Sequence, residues 1–245
     1  MKDKKQWVFG RHPVLESITA EQSVEKIWLQ QGTRGDFEKQ LRHLCKQHQI
    51  PVTIIPKERL NKLVSGNHQG VVALLAAAAY QRLDDIIPFV YEQSQTPLFL
   101  LLDGVTDVRN FGAIARSAEL CGVQAIIIPA KGSAGLTSEA LKTSAGALSR
   151  IPVCRVKSLV STITYLQESG IQVFASDLSG ETMLHDLDLK SPLALVLGSE
   201  GEGISRGVAK AVNLCFKIPQ VGTINSFNVS VAAGIMLYEC MRNRS

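Results

Sequence analysis

From Leu98 onward the chain alternates short, uninterrupted apolar runs with longer segments of helical periodicity, and few folds accept that pattern. The apolar runs are Leu98–Leu102, Ala125–Pro129, Ile171–Ser176, Leu193–Leu197 and Cys215–Ile218. Helical segments lie between them at Phe111–Cys121, Ser138–Leu148, Leu159–Glu168 and Ile204–Val212, and an amphipathic helix over Asn228–Arg242 follows the last run. A strand that is apolar throughout needs cover on both faces. The pattern therefore predicts a parallel α/β sheet with helices on each side. In such sheets ligands bind beyond the carboxyl ends of the strands, so the segments after Leu102, Leu197 and Ile218 are where a site should form.

The first 80 residues read differently. Val24–Gln30 and Pro51–Ile55 are strand-like, Gly35–Gln49 and Lys57–Val64 have helical spacing, and Gly70–Ala79 is an apolar strand. This predicts a small α/β domain over residues 1–80. Residues 81–96 are polar and acidic, are bounded by Pro97 and can hold a short helix at Leu83–Tyr91; they read as a linker to a second domain over 97–245. Net charge is +4, yet residues 1–80 carry twelve Lys/Arg against seven Asp/Glu and four of the five histidines. A basic, His-rich first third suits a module that touches phosphate. An ordinary solvated surface would look the same on charge alone.

Several classes are disfavoured. The longest apolar stretches, Val71–Tyr80 and Leu98–Leu102, fall short of the ~20 residues a membrane helix needs. The Lys-rich N-terminus has no apolar segment behind it, so no signal peptide is expected. Cys45, Cys121, Cys154, Cys215 and Cys240 are scattered without a C-x-x-C pair, which argues against zinc and disulfides and for a reducing cytoplasm. No metal and no membrane partner are expected.

Each strand end carries a polar constellation. The first is Asp103-Gly-Val-Thr-Asp-Val-Arg-Asn-Phe-Gly-Ala-Ile-Ala-Arg116. Asn110 stands where it could cap a helix, Gly112 and Ala113 leave room for a close backbone or ligand, and Arg116 follows. A capped helix with a surface Arg would read the same way. The second, Leu197-Gly-Ser-Glu-Gly-Glu-Gly203, packs three glycines into six residues. It matches neither G-x-G-x-x-G nor a P-loop, and its glutamates would repel a triphosphate. Glu200 suits a neutral or cationic ligand, though a plain flexible turn remains possible. The third runs from Ile218 through Ser226-Phe-Asn228, short polar residues at the mouth of the last helix, where unpartnered amides could hold a ligand and where Ser226 could simply be the cap.

Taken in order, these three stretches resemble the three motifs of the SpoU class of RNA methyltransferases over essentially all of 96–245. Phe9-Gly-Arg-His-Pro-Val-Leu-Glu16 and His68-Gln-Gly-Val-Val72 are similar to the substrate-binding domain of bacterial large-subunit rRNA guanosine 2′-O-methyltransferases. Phe227 stands where Leu is more usual between the Ser and the Asn. The resemblance implies a trefoil-knotted α/β domain preceded by a small RNA-binding domain like those of ribosomal RNA-binding proteins. It implies S-adenosylmethionine as cofactor, held by backbone around Leu197, Gly198, Ile218 and Phe227, with Glu200 and Asn228 nearby. Arg116, Asn110, Glu200, Ser226 and Asn228 are the catalytic set. An ordinary guanidinium is protonated at neutral pH, so Arg116 is read as positioning the 2′-hydroxyl and stabilising charge as it develops rather than as a simple base. Arg11, His12, His68 and Gln69 are the expected RNA contacts. A guanosine of 23S rRNA in the peptidyl-transferase region is the expected target. Other readings are a tRNA or another rRNA position, or a non-catalytic RNA-binding assembly factor. A homodimer is expected because Asn228–Arg242 is apolar on most sides, more than one sheet face can cover.

Overall fold

A computed structural model of the chain describes residues 7–224 and 226–245; the Lys-rich start (residues 1–6) and Asn225 lie outside these. Two units emerge among the described residues, one running up to residue 79 with 135–138, and the other comprising 80–134 with 139–245.

The first unit is built on β1 (Trp7–Phe9), α1 (Arg11–Thr19), β2 (Val24–Gln30), α2 (Asp36–Gln47), β3 (Val52–Ile55), α3 (Lys57–Leu63) and β4 (Val71–Leu75). Its sheet runs β1-β4-β2-β3, with β2 and β3 parallel and the other pairs antiparallel. The spacing of Phe37, Leu41, Leu44 and Cys45 gives α2 one apolar stripe. With Val14 and Ile18 of α1 it packs on Ile27, Leu29, Val71 and Ala73. The other sheet face carries Trp7, Phe9, Trp28, Val72 and Ile55, against which Leu60 of α3 packs. The apolar run expected as one strand to Ala79 stops at Leu75; Ala76, Ala77 and Ala78 are only half-buried and Ala79 is exposed. β1 and α1 carry no strong periodic signal; α1 is short, and Gly10 at its N-cap has φ 96°.

The second unit holds α4 (Leu83–Glu92), β5 (Leu98–Leu102), α5 (Val108–Leu120), β6 (Ala125–Pro129), α6 (Ser138–Thr143), β7 (Val153–Val156), α7 (Leu159–Glu168), β8 (Gln172–Ser176), β9 (Thr182–Met183), β10 (Leu193–Leu197), α8 (Arg206–Ala211), β11 (Leu214–Lys217) and α9 (Val229–Arg244). Seven strands in the order β7-β6-β5-β10-β8-β11-β9 form one wholly parallel sheet, as the continuous apolar runs require. One face carries Phe99, Leu101, Ile127, Val173 and Val196 and is covered by α4, α7 and α8. Alternate strand residues point to the opposite face. There α5 and α9 pack side by side and contribute Phe111, Ile114, Ala233, Met236 and Leu237 to the buried interior. Segment 81–96 is more than a tether, since Leu83, Ile86, Ile87 and Val90 of α4 join the first of these cores. No helix among the described residues is long and apolar enough to cross a membrane.

The helix expected over Ser138–Leu148 is interrupted. α6 ends at Thr143, Ala145 has φ 51° and Gly146 φ 87°, and a short 3-10 turn resumes at Ala147–Ser149. This break lets the chain at Thr143–Ser144 press against the first turn of α5. A Cβ on Gly112 would stand 2.7 Å from Thr143 Cβ and 2.9 Å from the Ser144 nitrogen. The small residue at 112 therefore admits another backbone. Gly112→Ala should destabilise the protein by roughly 1–3 kcal/mol, the usual cost of overpacking. Gly234→Ala in α9, where a new Cβ would meet only Ser117 Oγ at 3.9 Å, should be neutral or gain up to about 1 kcal/mol of helix propensity. Urea midpoints of the two variants would check the contrast, and equal midpoints would refute it.

Candidate functional site

The strand order places two of the three sequence segments side by side. β5 and β10 pair from Leu98↔Leu193 to Leu102↔Leu197, and the Asp103 N–H donates to the Leu197 carbonyl at 2.8 Å, one step beyond the last pair. The loop after β5 then turns into α5 through Asp107, whose Oδ1 accepts from the N–H groups of Arg109 (2.8 Å) and Asn110 (2.9 Å). Asp107 is thus the helix cap, and Asn110, expected to be one, lies inside the first turn with its side chain free for other work. Asp103 Oδ2 accepts from the Ser205 N–H at 2.7 Å and ties this loop to the start of α8.

The glycine-rich loop after β10 is closed on itself. Ser199 and Gly203 exchange both backbone hydrogen bonds, at 2.9 and 3.1 Å. Gly198 lies so close to the backbone of Gly203 and Ile204 that no Cβ could be accommodated. The tight turn lifts Glu200 to its exposed tip, next to α5.

The third segment enters α9 through Asn228. Its Oδ1 accepts from the Ser230 N–H (3.0 Å) and from Ser230 Oγ (2.6 Å), so Asn228 caps the helix. Ser226, the alternative cap in the sequence, lies two residues too early and is exposed. The Asn228 amide does a second job. Nδ2 donates to Glu200 Oε1 (2.5 Å) and to Asn110 Oδ1 (3.2 Å), while Asn110 Nδ2 donates to the same Glu200 oxygen at 3.1 Å. One carboxylate oxygen therefore joins residues from all three strand-end segments. Leu197 is buried at the end of β10, Ile218 is half-buried just past β11, and Phe227 is 39% exposed beside the cap. The same segment exposes two further apolar side chains, Val221 and Ile224.

Arg116 stands apart. It is exposed on α5 and makes no hydrogen bond or ion pair among the described residues. Six residues separate it from Asn110, which on an α-helix turns it about 120° away from the Asn110 face. It shares its own face with Leu120, one turn further on.

In the first unit, Arg11, His12, His68 and Gln69 come together at one cleft of about 840 Å³, also lined by Lys57 and Asn61. His68 is buried there, hydrogen-bonded to Asn61 and to the Gly70 N–H. Gln69 Oε1 accepts from the Arg11 N–H at 3.1 Å. Asp107 and Asn61 were not singled out from sequence. The first could have been found as a carboxylate directly ahead of a helical run, whereas the second carries no local signal. Among the described residues no group of three or more His, Cys, Asp or Glu side chains could hold a metal ion.

Known proteins share this organisation. Residues 97–238 match the profile of the SpoU rRNA methylase family, and residues 7–81 match the profile described as RNA 2′-O ribose methyltransferase substrate binding. A Bacillus subtilis protein, YacO, named as a TrmH-family tRNA/rRNA methyltransferase, is 37% identical over 245 residues, all of this chain and 98% of its own. An AdoMet-bound rRNA methyltransferase from Sinorhizobium meliloti superposes with a TM-score of 0.62 at 25% identity, covering 97% of this chain and 87% of that one. The AdoMet complex of the SpoU methyltransferase AviRb from Streptomyces viridochromogenes shares the fold, with a TM-score of 0.61 at 23% identity over 97% of this chain and 90% of that one. The chain belongs to the SpoU (TrmH-like) family of RNA methyltransferases.

Proposed function

We propose that the chain transfers a methyl group from S-adenosylmethionine to the 2′-oxygen of a ribose in RNA, with a guanosine in the peptidyl-transferase region of 23S rRNA as its target. The observation that carries this reading is the junction of three strand-end segments at Glu200 Oε1. The residues present fit such a cofactor. The junction offers two amides and one carboxylate with no cationic side chain among the described residues bonded to it, which suits a neutral nucleoside joined to a cationic group. Ile218 and Phe227 offer apolar surface beside it, and the backbone at Leu197–Gly198 offers amide groups for an adenosine. When bound, S-adenosylmethionine supplies an electrophilic methyl on a sulfonium, so no metal is needed. The segment after Ile218 is threaded as the trefoil knot of the family.

The protein must then supply a ribose hydroxyl in line with that methyl and neutralise charge as the hydroxyl proton departs. Arg116 is assigned to this task. It holds the hydroxyl and the adjacent phosphate, and its guanidinium stabilises the developing oxyanion. Asn110, Glu200, Ser226 and Asn228 orient the ribose and cofactor. Within one chain Arg116 faces away from the junction, so a second subunit brings it there. The surface for that pairing is apolar: Leu120 of α5 and Val231 and Tyr238 of α9 are all exposed, on two helices packed side by side. The working form is therefore a homodimer in which the Arg116 of one subunit serves the cofactor of the other. The N-terminal substrate-binding profile and the local positive charge favour a large structured RNA.

Mapping ribose methylation in RNA from cells lacking the protein tests the substrate. Loss at one guanosine of the peptidyl-transferase region is expected; an unchanged rRNA map with a methyl missing from tRNA would overturn the target. The division of labour has its own test. Arg116→Ala should lower methyl transfer by about a hundredfold or more, as loss of a transition-state donor does, while S-adenosylmethionine still binds. Tyr238→Glu should give the same loss by leaving monomers in light scattering. An active wild-type monomer at micromolar concentration would contradict the shared site.

A further inference from the structure

The cleft of the first unit has an internal order that its sequence motifs conceal. The Gly70 N–H donates to Nδ1 of the buried His68 ring at 3.0 Å. Nδ1 is thus the acceptor nitrogen, and the ring proton sits on Nε2. That proton meets Asn61 at 2.7 Å, so Asn61 presents its carbonyl Oδ1 to the ring. The amide of Asn61 is thereby fixed in one orientation. Its Nδ2 is left on the cleft wall as a donor with no partner among the described residues.

The charges around it are equally one-sided. Arg11 spends Nε on the Gln69 carbonyl (3.4 Å) and lies 5.0 Å from the centre of the Phe37 ring. Both its terminal amino groups remain without a hydrogen bond among the described residues. Lys57 is exposed and makes no ion pair among them, and none of the described carboxylates lines the cleft. At about 840 Å³ the cleft has the size of a ligand site. Two unpaired cations beside one oriented amide donor suit an anion that carries a hydrogen-bond acceptor next to it, and a nucleotide has both.

We propose that this cleft takes one nucleotide of the substrate RNA. Arg11 and Lys57 hold its phosphate, and Asn61 Nδ2 donates to an oxygen or nitrogen acceptor of its base or sugar. This rests on the reading that the chain acts on RNA. His68 and Gln69, read from sequence as RNA contacts, instead build the cleft. His68 is a positioning residue that holds Asn61, and Gln69 anchors the start of α1. The motif His68-Gln69-Gly70 thus works through its neighbours, while the contact residues Lys57 and Asn61 come from α3.

The test is binding of labelled RNA to the full chain across a salt series, using a transcript of the peptidyl-transferase region and a tRNA transcript. The probe kept is whichever the wild type binds more tightly. Arg11→Ala and Lys57→Ala should each weaken binding about tenfold and each lower the salt slope by about one, as loss of a phosphate contact does. Asn61→Ala should weaken binding about three- to tenfold with the slope unchanged, as loss of a neutral hydrogen bond does. His68→Ala should match Asn61→Ala, and the double variant should be no weaker than either, because both remove one contact. A merely structural His68 would give an additive loss. Wild-type affinity and slope in the Lys57 and Asn61 variants, with methyl transfer intact, would overturn the cleft and leave the activity standing. Failure of the wild type to bind either RNA would overturn both. Binding of guanosine monophosphate that Lys57→Ala abolishes, with RNA affinity unchanged, would mark a free-nucleotide site and overturn the proposal as well.

Discussion

The parallel ladder between β5 and β10 is the constraint on which the rest of the second unit depends. Its five residue pairs, Leu98–Leu102 with Leu193–Leu197, lie at the centre of the sheet and are buried throughout. Because the strands are parallel, their carboxyl ends emerge at the same edge, and the loops that follow must share one space. The loop after β5 becomes a capped helix, the loop after β10 a glycine-closed turn, and the entry to α9 supplies an asparagine. Glu200 joins the three. Residues far apart in the chain, such as Asn110 and Asn228, meet because the strands before them end together.

This dependence explains what the sequence makes legible. β5, β6 and β10 are readable to the residue, since strands buried on both faces must be apolar at every position. β7 escapes notice because Val153–Val156 is short and contains Arg155, whose guanidinium lies 4.2 Å from the centre of the Tyr80 ring. β9 has two residues and β1 three, too few for any period to register. The helix expected after Ser138 looks continuous in composition, yet the positive φ at Ala145 and Gly146 breaks it, a constraint visible only in the backbone.

The site was legible in its residues more than in its wiring. Asn110, Glu200 and Asn228 stand out as polar groups at strand ends. Which of them caps a helix is decided by two or three positions of register: Asp107 displaces Asn110 from that role, and Asn228 takes it from Ser226. The orientation of Arg116 follows from helical geometry once α5 is placed. In the first unit, His68 and Gln69 draw attention as polar side chains although their bonds are turned inward, while Asn61 sits unmarked in a lysine-rich helix.

On the proposed reading, the Glu200 junction cradles the cofactor. Titration calorimetry of S-adenosylmethionine into the wild-type chain and into Glu200→Ala tests it most directly, because it needs no RNA and no assumption about the target. One cofactor is expected to bind per wild-type chain, with an affinity at least about tenfold lower in the variant, the scale of losing hydrogen bonds to a charged group. Equal affinity in a variant that melts like the wild type would contradict it.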